Sequence, residues 1–398
     1  MDLSTTKMSV RVSGESILKN SKNVKCQPSC KMVKIVSPGV LYLFVQLIAI
    51  ILYWVMCQQS GRKFSMEPWD AGWYLKIAEK GYFQASTGQL DAQNFVSDDS
   101  AMAFFPGFPI LVRAISPLFG RDFLVAGVGV SLIFGIAGAY GIMRLVKMCG
   151  GNRRAGLLAI ALTAAAPMSI VYSLPYPESL LTALIVFTLI SVLEERWLVA
   201  LSLTLVAGLV KPMAAPLIAL VMLAACVNAY TKRPNIGNIS AAVLAPLGMV
   251  SYFVWVNQVS SVPGGYFSIT AAGWDNRLDF GKSSVRWLRE TLLTGHEVYM
   301  VATAILIFGI IGLLAALITK MSWEAWILAA FSIALILAHS GQFQGRMRLM
   351  LAAFPLLVAL AMHLELRSPR VIATVTIPFM AIGLWLSAHG LAVWQYSM

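Results

Sequence analysis

Charge is scarce in this chain: Asp, Glu, Lys and Arg together make up only 12% of its 398 residues. Histidine occurs four times and cysteine five times. No polar stretch is long enough to fold as a separate soluble domain. There is no Walker phosphate loop, and no G-x-G-x-x-G run stands ahead of a plausible strand. ATP-driven transport and a Rossmann-type site for nucleotide-sugars therefore lack support. Cys26 and Cys30 have no nearby histidine, which argues against a zinc site, and Cys57, Cys149 and Cys226 suggest no disulfide framework. The residue-by-residue alternation of a membrane β-barrel is also missing.

What is present is apolar. Hydrophobic residues make up 58% of the chain, and the mean hydropathy is +0.75. A soluble domain has no interior large enough to hide that surface. Long apolar runs that must satisfy their own backbone in lipid call for helices. The expected fold class is all-α: a polytopic transmembrane bundle of about eleven spans, several shorter than the roughly 20 residues of a straight crossing. They fall near 40–57, 123–146, 155–174, 177–193, 197–210, 212–230, 239–257, 298–319, 324–339, 347–364 and 371–394.

The net charge of +12 is not a nucleic-acid footprint, because the basic residues lie in a tail and in short loops. Lys7, Arg11, Lys19, Lys22, Lys25, Lys31 and Lys34 stand against only Asp2 and Glu15. Residues 1–37 are expected to form a disordered basic cytoplasmic tail touching anionic lipid, and 38–398 the membrane domain. The tail has no apolar core near its start, unlike a signal peptide. Basic loops mark the cytoplasmic side: the tail, Arg144 to Arg154, Lys232-Arg233, and Arg367 to Arg370. The first outer loop (58–122), the Pro175 to Glu178 turn, Lys211-Pro212, the second outer loop (258–297) and Gln342 to Arg348 then share the other face. This assignment takes 101–119, with its prolines and Arg113, as surface-lying or re-entrant.

The first outer loop holds the most informative segment, Glu67-Pro68-Trp69-Asp70-Ala71-Gly72-Trp73-Tyr74 and on to Gly81-Tyr82. It has the pattern of an interfacial helix. Pro68 suits a first helical position and Gly81 a stop. Trp69, Trp73 and Ile77 form one apolar stripe. Asp70 falls in the first turn, where the helix dipole favours negative charge. It is either a catalytic carboxylate at the membrane surface or a helix cap.

The other clusters also have two readings. Asp98-Asp99 binds an acceptor or a metal, or is merely solvated or caps the segment that follows. Glu178 binds a sugar hydroxyl or complements a helix dipole. Lys211 meets an anion or snorkels. Trp274 and Asp275 suit a sugar, with ring stacking beside a hydrogen-bonding acid, or belong to an ordinary ordered loop. Arg346 and Arg348 clamp a phosphate or anchor headgroups, and they stand on the side that normally disfavours arginine.

The order of these motifs resembles the PIG-V-like mannosyltransferases, relatives of the second GPI mannosyltransferase. The resemblance rests on Trp69 to Tyr74 with Ile77 to Tyr82, Phe104-Phe105-Pro106 to Pro109, Tyr176-Pro177-Glu178-Ser179-Leu180, Lys211-Pro212 and the run from Arg348 to Pro355. It covers most of the chain between about 66 and 357, and it is closer to bacterial members, whose acceptors are not GPI. Lysine replaces the arginine that members often carry before Pro212.

The resemblance implies a GT-C glycosyltransferase that takes sugar from a polyprenyl phosphate on the non-cytoplasmic face. Asp70 is the catalytic base it implies. Arg346, Arg348 and Lys211 are the expected donor-phosphate ligands. Trp69, Trp73, Tyr74, Tyr176, Glu178, Trp274 and Asp275 are the expected sugar and acceptor contacts. No cofactor is called for beyond the lipid-linked sugar donor. A divalent metal near the acids has no ligand spacing behind it. The expected partners are that donor, membrane lipids, and an acceptor lipid, glycan or protein. A transporter or flippase for a lipid-linked anion is the rival, and a non-catalytic assembly subunit is a third class.

Overall fold

The computed structural model describes residues 28–86, 88–294, 297–316 and 321–394. The chain divides into Met1–Ser37 and Pro38–Met398. Residues 1–27, most of the basic tail, lie outside the described residues, and the backbone is helical from Pro28.

Among the described residues the fold is helical, and its only β feature is one isolated antiparallel bridge, Leu278 to His339. Five helices are long and apolar enough to cross a membrane: Ser37–Ser60, Phe123–Met148, Pro212–Thr231, Ile236–Val259 and Pro369–Ala392. Arg346–Ala353 with Pro355–Leu364, bent by 60°, makes a sixth if counted as one span. Glu178–Leu193, Trp197–Gly208, Met300–Ala316 and Trp323–Ala338 are apolar but shorter. The chain is a multi-pass membrane protein with broken and short helices. The stretch 155–174 is not one continuous helix. It runs helical over Arg153–Ala164, and Pro167 with Met168 (φ 65°) then turns it into a 3-10 segment, Ser169–Ser173.

Close packing sets the frame. The helix Phe123–Met148 starts at Asp122, whose side chain accepts from the Val125 N–H at 3.0 Å. Its glycines let Glu178–Leu193 approach. A Cβ at Gly141 would stand 2.4 Å from Val186, and one at Gly138 3.8 Å from the Ala183 backbone. Small residues at such crossings serve where lipid supplies no hydrophobic drive between helices.

Two polar ends result. Near one end of Phe123–Met148, Pro175 sits against Gly127. Near the other, Arg144 pairs with Glu194. At 1.5 Å per residue these points are about 26 Å apart. The second end gathers basic loops: Lys232 pairs with Glu195, and the Asn152 N–H donates to Glu365 at 3.3 Å.

At the first end lie the two long loops. The helix Gly107–Ile115 continues as a 3-10 turn to Phe119. A helical run of that length reaches about 20 Å, short of a bilayer's roughly 30 Å core. Arg113 donates to the Ala78 and Glu79 carbonyls at 2.7 and 2.9 Å and closes the end of the neighbouring helix Ala71–Lys80. Asp99, buried, accepts from Ser261 N and Oγ (2.9 and 2.6 Å) and from Ser260 Oγ (3.2 Å). It ties the first loop to the second and is not a free ligand.

Gly107 is where the first loop meets the bundle. Its N–H donates to Leu209 O at 2.7 Å, and a Cβ would stand 2.9 Å from both that oxygen and Val210 Cγ2. Gly107→Ala is expected to cost about 1–3 kcal/mol through overpacking, read as a lowered unfolding temperature in detergent. An unchanged temperature would mean that the loop is not held by this contact.

Candidate active site

The helix carrying the aromatic stripe runs Ala71–Lys80, three residues later than Pro68 at a first helical position would place it. The reason is tertiary. Trp69 sits in the left-handed region at φ 52°, the Tyr176 hydroxyl donates to Pro68 O at 2.7 Å, and Ala71 N–H donates to the same oxygen at 3.1 Å. A left-handed conformation costs an ordinary residue about 1–2 kcal/mol, and strain held by its surroundings is typical of functional sites. Gly81 does end the helix, with φ 77° and its N–H on Ile77 O.

Asp70 therefore stands at the N-cap position, yet its side chain makes no cap hydrogen bond. Its Oδ2 instead accepts from Arg348 Nη2 at 2.7 Å. The capping role, the plain alternative for this residue, is not the one the side chain adopts. Arg348 reaches further, with Nε 3.3 Å from Glu178 Oε1, and its Cζ lies 5.1 Å from the Tyr176 ring centroid. Lys211 Nζ also pairs with Glu178. Two acids and two cations thus form one partly buried cluster, with side-chain exposures of 21% for Asp70, 5% for Glu178 and 11% for both Lys211 and Arg348.

Sequence breaks put these groups together. Helix Glu178–Leu193 begins just after Pro175 and Pro177, so Glu178 faces the polar end. Helix Trp197–Gly208 stops before Lys211, which is extended (φ −167°, ψ 151°), and Pro212 opens the next turn. Burial pushes the Lys211 ammonium below its ordinary range, and the Glu178 carboxylate opposes that shift. Burial likewise pushes the Tyr74 phenol well above its ordinary value.

Beside the cluster opens a cavity of about 700 Å³. Asp70, Lys211, Arg346 and Arg348 line it, together with Trp69, Trp73, Tyr74 and Trp274. The aromatic wall is interlocked. Trp73 stacks on Phe104 (5.4 Å), and Trp274 meets Phe104 and Trp73 edge-on at 5.4 and 6.1 Å. Phe104 is fixed through its carbonyl, which accepts from the Tyr82 and Tyr252 hydroxyls at 2.7 and 2.8 Å.

Arg346 is 2% exposed. It donates to Ser284 Oγ at 2.6 Å and His339 O at 2.5 Å, and lies 4.7 Å over Phe343. It braces the second outer loop and also borders the cavity. Arg346 Nε and Arg348 Nη1 are buried donors without a hydrogen-bond partner.

Three expected sugar contacts are placed elsewhere. Tyr176 and Glu178 do not line the cavity: one holds the Pro68 turn, the other neutralises two cations within the cluster. Asp275 is an exposed left-handed residue (φ 50°) closing helix Gly265–Trp274, 3.9 Å from Arg277, and it too is off the cavity. Conversely Gln89 and Asn94 line it although no sequence motif marked them out, as do Asp91 of the acidic first outer loop and Asn276 of the Gly273 to Arg277 motif. Among the described residues no group of three His, Cys, Asp or Glu side chains converges as a metal site would need.

No protein-family model matches the sequence, and no curated protein matches it. Among solved structures, ArnT from Cupriavidus metallidurans bound to undecaprenyl phosphate is similar, with a TM-score of 0.52 at 17% identity over 87% of this chain and 63% of that one. Its apo state gives 0.49 at 17% identity, over 86% and 62%. The Archaeoglobus fulgidus oligosaccharyltransferase AglB, with an inhibitory peptide and a dolichol-phosphate, gives 0.48 at 11% identity, over 92% and 57%. The chain spans less than two thirds of each neighbour. The fold is of the GT-C type, and the PIG-V-like resemblance rests on the motifs alone.

Proposed function

We propose that this chain is an integral-membrane glycosyltransferase that moves a hexose from a polyprenyl-phosphate donor to a lipid, glycan or protein acceptor. The motif resemblance makes mannose the first sugar to test. One observation carries the reading. The Asp70 carboxylate borders a cavity, leaves its own helix uncapped, and shares the cavity wall with Lys211, Arg346 and Arg348.

In the reaction, Asp70 takes the proton of an acceptor hydroxyl as its oxygen bonds to the anomeric carbon. The bond from that carbon to the phosphate oxygen breaks, and its electron pair leaves with the lipid phosphate. Attack from the far side inverts the anomeric centre. The leaving phosphate gains charge, and Lys211, Arg346 and Arg348, which line the cavity, supply the positive charge that stabilises it. The aromatic wall excludes water and packs the sugar's C–H faces. Arg348 also holds the partly buried Asp70 carboxylate in place through its hydrogen bond.

The positive-charge rule supports placing this cavity on the non-cytoplasmic side, since the opposite end carries Arg144, Arg153, Arg154, Lys232, Arg367 and Arg370. The test is transfer in vesicles reconstituted with the purified chain and radiolabelled polyprenyl-phosphate mannose, mixed with native membrane lipids and glycans. Label is expected to move into an acceptor. Label that crosses the bilayer without changing carrier would instead establish the flippase reading.

A further inference from the structure

We infer that Glu178 is a positioning residue that sets the charge of the phosphate site, so that the cavity holds the donor's phosphodiester and sheds the lipid phosphate left after transfer. The inference rests on the glycosyltransferase reading above and deepens it.

Glu178 is buried and does not line the cavity, so it acts through its neighbours. Its Oε1 pairs with Lys211 Nζ and lies 3.3 Å from Arg348 Nε, and both of those cations do line the cavity. Its Oε2 is buried without a hydrogen-bond partner. An amide oxygen would accept from the same two donors, so what the acid adds is its negative charge. Arg348 is also bonded to Asp70 Oδ2, at 2.7 Å. The four side chains are two acids and two cations, and their charges cancel.

The balance changes as the reaction runs. The donor's phosphodiester carries one negative charge. In transfer the acceptor's proton passes to Asp70, the bond from the anomeric carbon to the phosphate oxygen breaks, and the lipid phosphate leaves with a second negative charge. The cluster gains one positive charge just as the phosphate gains one negative charge. When Asp70 then gives its proton to water, the cluster is neutral again and the product is no longer matched. A phosphate monoester carries about −1.5 to −2 near neutral pH. Without Glu178 the cluster would keep an extra positive charge throughout. It would then hold the product best of all, since the attraction scales with the ligand's charge. Arg346 and Asp91 also border the cavity, and their charges are the same at every step.

The test measures binding of polyprenyl-phosphate mannose and of bare polyprenyl phosphate to the purified chain in detergent. It compares wild type, Glu178→Gln, Lys211→Met and the two substitutions combined. Glu178→Gln is expected to tighten the bare lipid phosphate by about tenfold and the donor by only about threefold. In transfer assays the same variant should show stronger inhibition by bare lipid phosphate and a lower turnover rate. The KM for donor should not rise, because the slowed step is product release. Lys211→Met should move the ratio of the two affinities the opposite way. Adding Glu178→Gln to it should restore the wild-type ratio, which reads the same charge in a second background. Weakening of both lipids by Glu178→Gln would show a purely structural role and overturn the inference, as would an unchanged ratio. A combined variant whose ratio stays where Lys211→Met put it would overturn it too. Wild type that binds neither lipid would defeat the glycosyltransferase reading itself, and the inference with it.

Discussion

Asp70→Asn is expected to lower sugar transfer by about 10²–10⁴-fold, the usual contribution of a placed general base. The substitution keeps the size of the side chain and an oxygen that accepts from Arg348 Nη2, now at 2.7 Å from the carboxylate. Folding and donor binding should therefore hold, and the loss should appear in the turnover rate and not in donor affinity. The measurement is initial transfer rate against donor concentration at matched amounts of folded protein. A loss under tenfold would remove Asp70 from the chemistry, leaving its contact with Arg348 as its role.

Arg348→Ala is expected to have the other large effect, on stability and on activity together. Arg348 is the one group that touches both acids of the cluster, Asp70 and Glu178. Removing it leaves Glu178 with Lys211 alone and Asp70 with no ion-pair partner. Breaking a buried pair in this way costs about 3–5 kcal/mol, because a desolvated charge is left uncompensated. Asp70 is a fifth exposed, which puts the expected cost at the lower end of that range. Arg348→Lys restores a charge but not the planar fork that reaches two acids at once. It should regain most of the stability while transfer stays at least about tenfold down. Thermal unfolding and transfer rate, measured side by side, separate the two roles. If Arg348→Lys recovers both, the residue serves charge balance only.

Much of the site was legible in the chain because its helix breaks are local. Prolines at 175, 177 and 212 fix where helices start, so Glu178 and Lys211 had to stand at helix ends. An acid between tryptophans after the first span marked Asp70. Less legible was what each of these groups would face. Glu178 read as a sugar ligand, and its partners are Lys211 and Arg348, 33 and 170 positions away along the chain. Tyr176 read as a sugar contact, and it supports Pro68 from behind. Asp275 shared its motif with Trp274, yet the left-handed turn at the end of their helix sends the two residues to different surroundings.

By itself the sequence determined the solvent and the class of fold. So much apolar surface and so few charges admit only a membrane bundle, since lipid forbids an unpaired backbone. It also determined which segments break and which polar residues the breaks expose. The tertiary structure alone decided the pairings: Asp70 with Arg348, Glu178 with both cations, and Asp99 with the serines of the second loop. Such pairings depend on distance and direction between segments far apart in the chain. Residue type and local spacing carry the propensity of a segment but not its neighbour, and in a desolvated cluster the neighbour decides whether a carboxylate is a base, a counter-ion or a cap.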